Sequence, residues 1–212
     1  MTHIAIFPIP DCVTFPGMVF PLHVFEPRYR AMAKHCIEDD MLLAISHTEK
    51  LIRPAKSSQS SEEVLHSNQA SYKPLTIFSA GRCELLNTLE DGRLYLNVHI
   101  QTRFKAISEV QSLPFIIYEC EEYNDKAINE DDKKTAKLTQ QKILKRLQML
   151  TYHSPEIQKV LMGDKLILAD AVDFSFMLFH LVQLESSFQQ SVLEMQSVNE
   201  RLMAVLELLN QR

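Results

Sequence analysis

At 212 residues, 46% of them hydrophobic and 23% charged, the chain has the composition of a globular protein large enough to bury a core without staples. Its net charge is -5, with 11 Lys+Arg against 16 Asp+Glu over residues 1–125 and 11 against 11 over residues 126–212, so it lacks the basic footprint of a nucleic-acid binder. No apolar run approaches the roughly 18 residues of a membrane helix, and "MTHIAIFPIPDC" has neither a basic nor a long apolar leader region, which points to the cytoplasm.

Residues 1–125 read as strands. "HIAIFPI" (3–9) and "MVFPLHVF" (18–25) are short apolar runs punctuated by proline, as edge or bulged strands tolerate. After Glu26, Pro27 occupies the first turn of a helix whose apolar face would hold Tyr29, Met32, Ala33, Cys36 and Ile37. The acidic run Glu38-Asp39-Asp40 is unwelcome at a helix end and is expected to begin a turn. "MLLAISH" (41–47) is a third strand. Residues 48–74, with "SSQSSEE", show no apolar period and read as a long mobile loop. "LTIFSAGRCELLN" (75–87) and "RLYLNVHIQTRFKAI" (93–107) flank Asp91-Gly92, a tight-hairpin pair. In the second of these, Leu94, Leu96, Val98 and Ile100 fall on one face, and Tyr95, Asn97, His99 and Gln101 on the other. "FIIYECEEY" (115–123) completes a set that suits a barrel or a strongly bent sheet.

From about 130 the apolar period becomes helical. "DDKKTAKLTQQKILKRLQML" (131–150) is amphipathic, with acids at its start to favour the helix dipole. Ser154-Pro155-Glu156 starts another helix, and Gly163 is placed to stop it. "ADAVDFSFMLFHLVQL" (169–184) is apolar on most sides and reads as a buried central helix, its densest face Phe174, Met177, Leu178, Leu181 and Val182, with His180 a hydrogen-bonded core residue. Two capping boxes, Ser186-x-x-Gln189 and Ser197-x-x-Glu200, split the tail into two short helices rather than one coiled coil.

Sequence motifs for chemistry are missing. There is no GxxxxGK[ST], GxGxxG, HExxH or GxSxG, and four glycines in the whole chain leave little for phosphate-cradling loops. Cys12, Cys36, Cys83 and Cys120 form no CxxC and no zinc-spaced cluster, so they read as reduced, buried apolar residues. No catalytic residue, cofactor site or metal site is therefore assigned, and the chain is not expected to be an enzyme.

The most patterned stretch is "FPGMVFPLHVFEPRYRAM" (15–32). Physically it reads as architecture. Pro16-Gly17 makes a turn after Phe15, and Pro21 interrupts pairing beside Leu22. Phe25 is a core anchor and Glu26-Pro27 starts the helix. Arg28, next to Tyr29, is placed to pair with Glu26 or a neighbouring strand.

That stretch resembles the signature of the Lon protease N-terminal, or LON substrate-binding, domain family. "AGRCELLNTLEDGRLYLNVHIQTRF" resembles the family's central hairpin, ending in the pair Arg103-Phe104, and the tail resembles its helical end through Gln190, Leu193-Glu194 and Glu200-Arg201-Leu202. Ile100 stands where the family usually has glycine. The chain resembles a stand-alone member, without the ATPase and Ser-Lys protease modules of full-length Lon. The resemblance implies an α+β fold. A PUA-like β pseudo-barrel with one inserted helix (residues 1–125) would precede an α-helical bundle (126–212). It also implies a non-enzymatic module that binds unfolded segments or a partner protein, as a monomer or weak homodimer away from membranes. Strand addition at a barrel edge or an apolar groove would serve that role. Phe7, Phe20, Leu22, Phe115 and Ile117 are candidate groove residues, and equally candidate core. RNA binding, known among PUA-like folds, is the alternative, and the acidic balance counts against it.

Overall fold

The computed structural model describes residues 1–54, 67–181 and 184–211. The chain forms two compact units: Met1–Tyr123 with Glu185–Leu193, and Asn124–Leu184 with Glu194–Arg212. The strand region thus takes back a helix from the tail, a return that the single boundary read near residue 125 does not contain.

The first unit contains β1 (Thr2–Pro8), β2 (Val19–Val24), helix α1 (Pro27–Glu38), β3 (Leu42–Ser46), β4 (Thr48–Arg53), β5 (Ser71–Pro74), β6 (Ile77–Thr88), β7 (Leu94–Gln111) and β8 (Ile116–Glu122). Six strands pair in the order β2-β7-β6-β3-β1-β8, and β7 also pairs with β8. That extra pairing closes β7, β6, β3, β1 and β8 into a ring, with β2 attached to β7 alone. The loop expectation for 48–74 is corrected at its two ends: β4 and β5 form a separate antiparallel pair. The "SSQSSEE" stretch, 57–63, lies outside the described residues.

Strand β1 is buried on both faces, with Ile4, Ala5 and Ile6 each 0% exposed, because it lies between β3 and β8. Ile4 and Ile6 join Ala44, Phe78, Phe104 and Cys120 in one cluster. Ala5 points to the larger cluster, where Leu22, Leu94, Leu96, Val98 and Ile100 meet Tyr29, Met32, Ala33 and Cys36 of α1. The β7 alternation read from sequence holds through Ile100, and the helix face holds except for Ile37, which is exposed just before the helix ends. Asp39 and Asp40 then form the turn, Asp40 at φ 54°.

Beyond Ile100 the alternation of β7 breaks. Gly81 pairs with Ile100 and Ala80 with Thr102, leaving Gln101 as the extra residue of a bulge. A Cβ on Gly81 would lie 1.8 Å from the His99 carbonyl oxygen. The close backbone approach therefore takes its glycine from β6, opposite Ile100. Past the bulge, Phe104 onward pairs with β8, whereas 94–99 pair with β2. At the hairpin, Gly92 takes φ 83°, as the Asp91-Gly92 reading requires.

The second unit contains α2 (Glu130–Leu150), α3 (Pro155–Leu161), α4 (Asp164–Ile167), α5 (Ala171–Met177) with a 3-10 turn at Leu178–His180, and α7 (Val198–Asn210). Asn129 and Asp132 close a capping box at the start of α2. Gly163 does not end α3 in a left-handed cap; its φ is -72° and it precedes α4. The single helix expected over 169–184 is corrected to α5 plus the 3-10 turn. Asp170 accepts the Val172 and Asp173 N–H groups, and Phe174, Phe176, Leu178 and Phe179 are buried. Met177 is half-buried, Leu181 and His180 are exposed rather than in the core, and Val182 lies outside the described residues. The tail breaks as read. Ser197 accepts the Glu200 N–H at 3.3 Å to start α7. Helix α6 (Ser186–Glu194) begins differently, with the Gln189 N–H donated to the Glu185 carbonyl and the Ser186 hydroxyl to Asp11.

Candidate peptide-binding site at the start of helix α1

The 15–32 stretch is built into the first unit through its backbone and through one arginine. Phe15 is fully buried, and Gly17 at φ 85° donates its N–H to the Ile100 carbonyl, while Ile100 donates back to Met18. Pro21 is exposed on β2, the strand outside the ring, where a missing N–H costs nothing. Leu22 is buried, but Phe25 is half-buried against His23 rather than a core anchor.

Pro27 opens α1, and Glu26 makes no side-chain cap. Its carboxylate is committed elsewhere. It accepts from the Arg28 guanidinium at 2.9 Å and from the Gln69 N–H at 2.9 Å. Arg28 donates further to the Ser71 hydroxyl at 2.8 Å and the Ala70 carbonyl at 2.6 Å, and its guanidinium lies 4.4 Å over the Tyr29 ring. Glu26 and Arg28 thus pair, and together hold the segment entering β5. Tyr29 stacks on Phe7 at 4.0 Å, and burial pushes its hydroxyl pKa up to about 12, against the opposing pull of Arg28.

Beside this junction is a cavity of about 300 Å³. Ile6, Pro8, Phe115 and Ile116 give it an apolar floor; Tyr29 and Tyr72 add aromatic surface. Arg28 and Glu109 are its charged members, and Ile52 and Leu113, 61% and 80% exposed, mark its open side. Of the five groove candidates only Phe115 lines it. Leu22, Phe115 and Ile117 are buried in the larger core cluster, with Phe7 and Phe20 partly buried against it. Sequence reasoning missed Tyr72, Glu109 and Leu113. Their signal is slight: a tyrosine in a polar stretch and an apolar-proline turn, "SLPF" (112–115).

The other resemblance residues act as internal ties. Gln190 donates to the Ile77 carbonyl at 3.0 Å, and buried Arg103 donates to the Leu193 carbonyl at 2.6 Å, both holding α6 to the first unit. Phe104 is core and Glu194 is exposed. Arg201 is 0% exposed within the second unit. It makes two 2.6 Å bonds to Asp125, donates to Ser175 and the Met195 carbonyl, and lies 4.3 Å over Phe176.

The cysteines give no reactive centre. Burial pushes Cys12 up to about 11 and Cys120 up to about 12. Cys36 is raised by its hydrogen bond with Cys83 and by burial. Among the described residues no three His, Cys, Asp or Glu side chains converge as metal ligands, and no helix is long and apolar enough to cross a membrane.

Residues 3–211 match the family profile described as the ATP-dependent protease La (LON) substrate-binding domain. Two solved structures are similar over essentially their full lengths. The N-terminal domain of Mycobacterium avium complex Lon protease is 15% identical, with TM-score 0.69 and 100% of each chain covered. A Lon N-terminal domain protein from Xanthomonas campestris is 18% identical, with TM-score 0.60 and 98% of each chain covered. Among curated proteins there is no significant match.

Proposed function

We propose a function from one premise: this chain belongs to the family of ATP-dependent protease La (LON) substrate-binding domains. The protein is a non-enzymatic recognition module of the cytoplasm that binds segments of other proteins in an unfolded or extended state. The observation carrying this reading is the cavity beside Arg28 and Tyr29, with its apolar floor, aromatic wall and two charged members. Concave sites of that composition bind apolar groups by burial and fix their orientation with a few polar contacts. The working form is a monomer or a weak homodimer, and its clients are proteins rather than nucleic acid.

The test pairs two probes against the purified chain: a permanently unfolded protein, reduced and alkylated, and a single-stranded RNA. Saturable binding of the unfolded protein, with RNA retained only weakly and lost as salt rises, is the expected result. Saturable RNA binding without protein binding would replace this reading with the nucleic-acid one.

A further inference from the structure

The cavity's charge balance carries an inference about which segments it accepts. Arg28 is the positive member of its lining, but its charge is met by Glu26 at 2.9 Å and its N–H groups are engaged by Ser71 and Ala70. It is therefore spent on structure, and it does not repel an incoming cation. Glu109 has no such partner: among the described residues no ion pair reaches it. The strands around it carry both signs: β4 and β5 hold Glu49, Lys50, Arg53 and Lys73, with Lys73 on Glu49, and residues 105–123 hold Lys105, Glu109, Glu119, Glu121 and Glu122. Of these, Glu121 faces Lys105 at 3.9 Å, and Glu119 accepts from Ser108. The site thus presents apolar and aromatic surface with one lining carboxylate, Glu109, that no ion pair among the described residues meets.

Size adds a second constraint. At about 300 Å³ the cavity far exceeds the ~10–15 Å³ that one water needs, and it suits a bulky side chain with part of its backbone. Its exposed rim, Leu113 and Ile52, extends apolar contact beyond the cavity itself.

We propose that this cavity takes a bulky apolar side chain from an extended protein segment bearing a neighbouring lysine or arginine, the apolar group resting on Phe115, Ile116 and the tyrosines and the cation facing Glu109. This rests on the protein-binding reading above and adds the class of segment. Tyr72, half-buried in the same lining, further favours a cation, because aromatic faces attract positive charge.

The experiment uses the full chain and three labelled, unstructured peptides. Each has the same leucine and phenylalanine positions in a Gly/Ser background, with lysine, glutamine or glutamate at the flanking positions. Fluorescence anisotropy should rank them lysine, glutamine, glutamate, with lysine roughly two- to fivefold tighter than glutamine, as an exposed ion pair gives. Glu109→Gln should abolish the lysine preference, bringing the lysine and glutamine peptides to the same affinity. Leu113→Ser should weaken all three by about tenfold, the scale of one lost apolar contact in a pocket. Both positions are exposed, so an unchanged urea midpoint separates lost binding from lost folding. A lysine preference that survives Glu109→Gln, or binding indifferent to Leu113→Ser, would overturn the cavity assignment while leaving the protein-binding function standing. Wild-type protein that bound the unfolded protein but none of the peptides would also overturn the assignment alone. Wild-type protein that bound neither would remove both.

Discussion

Two arginine–carboxylate pairs, one in each compact unit, show how the same chemistry serves different ends. Arg201 in the helical unit is completely dry, whereas Arg28 in the strand unit keeps 11% of its side chain exposed. Arg201 ties together Asp125, Ser175 and Met195, residues far apart in sequence, through four hydrogen bonds. A charge so buried is tolerable only because four of its five N–H donors find acceptors, and removing a partner strands the rest. Arg28 also makes several bonds, yet it stands at the rim of a cavity and holds a surface segment. A guanidinium with no exposure organises a core; one at the rim of a cavity shapes what lies beside it.

The comparison is sharpest at Arg201. Asp125→Ala should cost about 3–5 kcal/mol, read from urea unfolding, because it leaves the fully buried Arg201 guanidinium without its counter-charge; Arg201→Ala strands a carboxylate that keeps 18% of its side chain exposed and should cost toward the lower end. The double change to apolar residues, Arg201→Met with Asp125→Leu, should recover a large part of that loss. If single and double variants were equally destabilised, the charge argument would fail and packing would have to explain the site.

Gly81→Ala should come next, at roughly 2–3 kcal/mol, because a methyl group there meets the His99 backbone at 1.8 Å and the strands must part. Thermal unfolding measures it, and an unchanged midpoint would mean that the bulge is soft. Arg28→Ala should cost less, about 1–2 kcal/mol for its charge-assisted bonds. Its distinguishing effect is local: amide exchange should quicken at Gln69, whose N–H is bonded to Glu26, without a matching change in the helical unit. Uniform exchange across both units would erase the contrast with Arg201. The smallest effect is expected at Ser197→Ala, about 1 kcal/mol, from loss of the cap that starts α7.

Much of the fold was legible because it depends on local periodicity. The alternation of Leu94 to Ile100, the Asp91-Gly92 turn, the Pro27 helix start and the break before Ser197 are each written within a few residues. The site was legible only in part. Arg28 and Tyr29 were singled out with Glu26 as a partner, but Tyr72 and Glu109 reach the same cavity from β5 and β7, and no local pattern joins those segments. The groove candidates show the same limit: Phe7, Phe20, Leu22, Phe115 and Ile117 were chosen for being apolar, and apolarity alone does not separate a groove from the core cluster they share.

By itself the sequence determined the order of strands then helices, the absence of the common nucleotide- and metal-binding motifs and, through its motifs, the family resemblance. Those rest on short-range spacing and residue chemistry, which need no partner from elsewhere in the chain. Tertiary structure decided the rest. It closed the ring by pairing β7 with both β6 and β8, and placed Gly81 opposite Ile100. It packed Cys36 and Cys83 into one core cluster, returned α6 to the strand unit and buried Arg201 on Asp125. Each is a pairing across tens of residues of chain, and such pairings are selected by which surfaces can be buried together with most of their polar groups satisfied, a condition only the folded chain can meet.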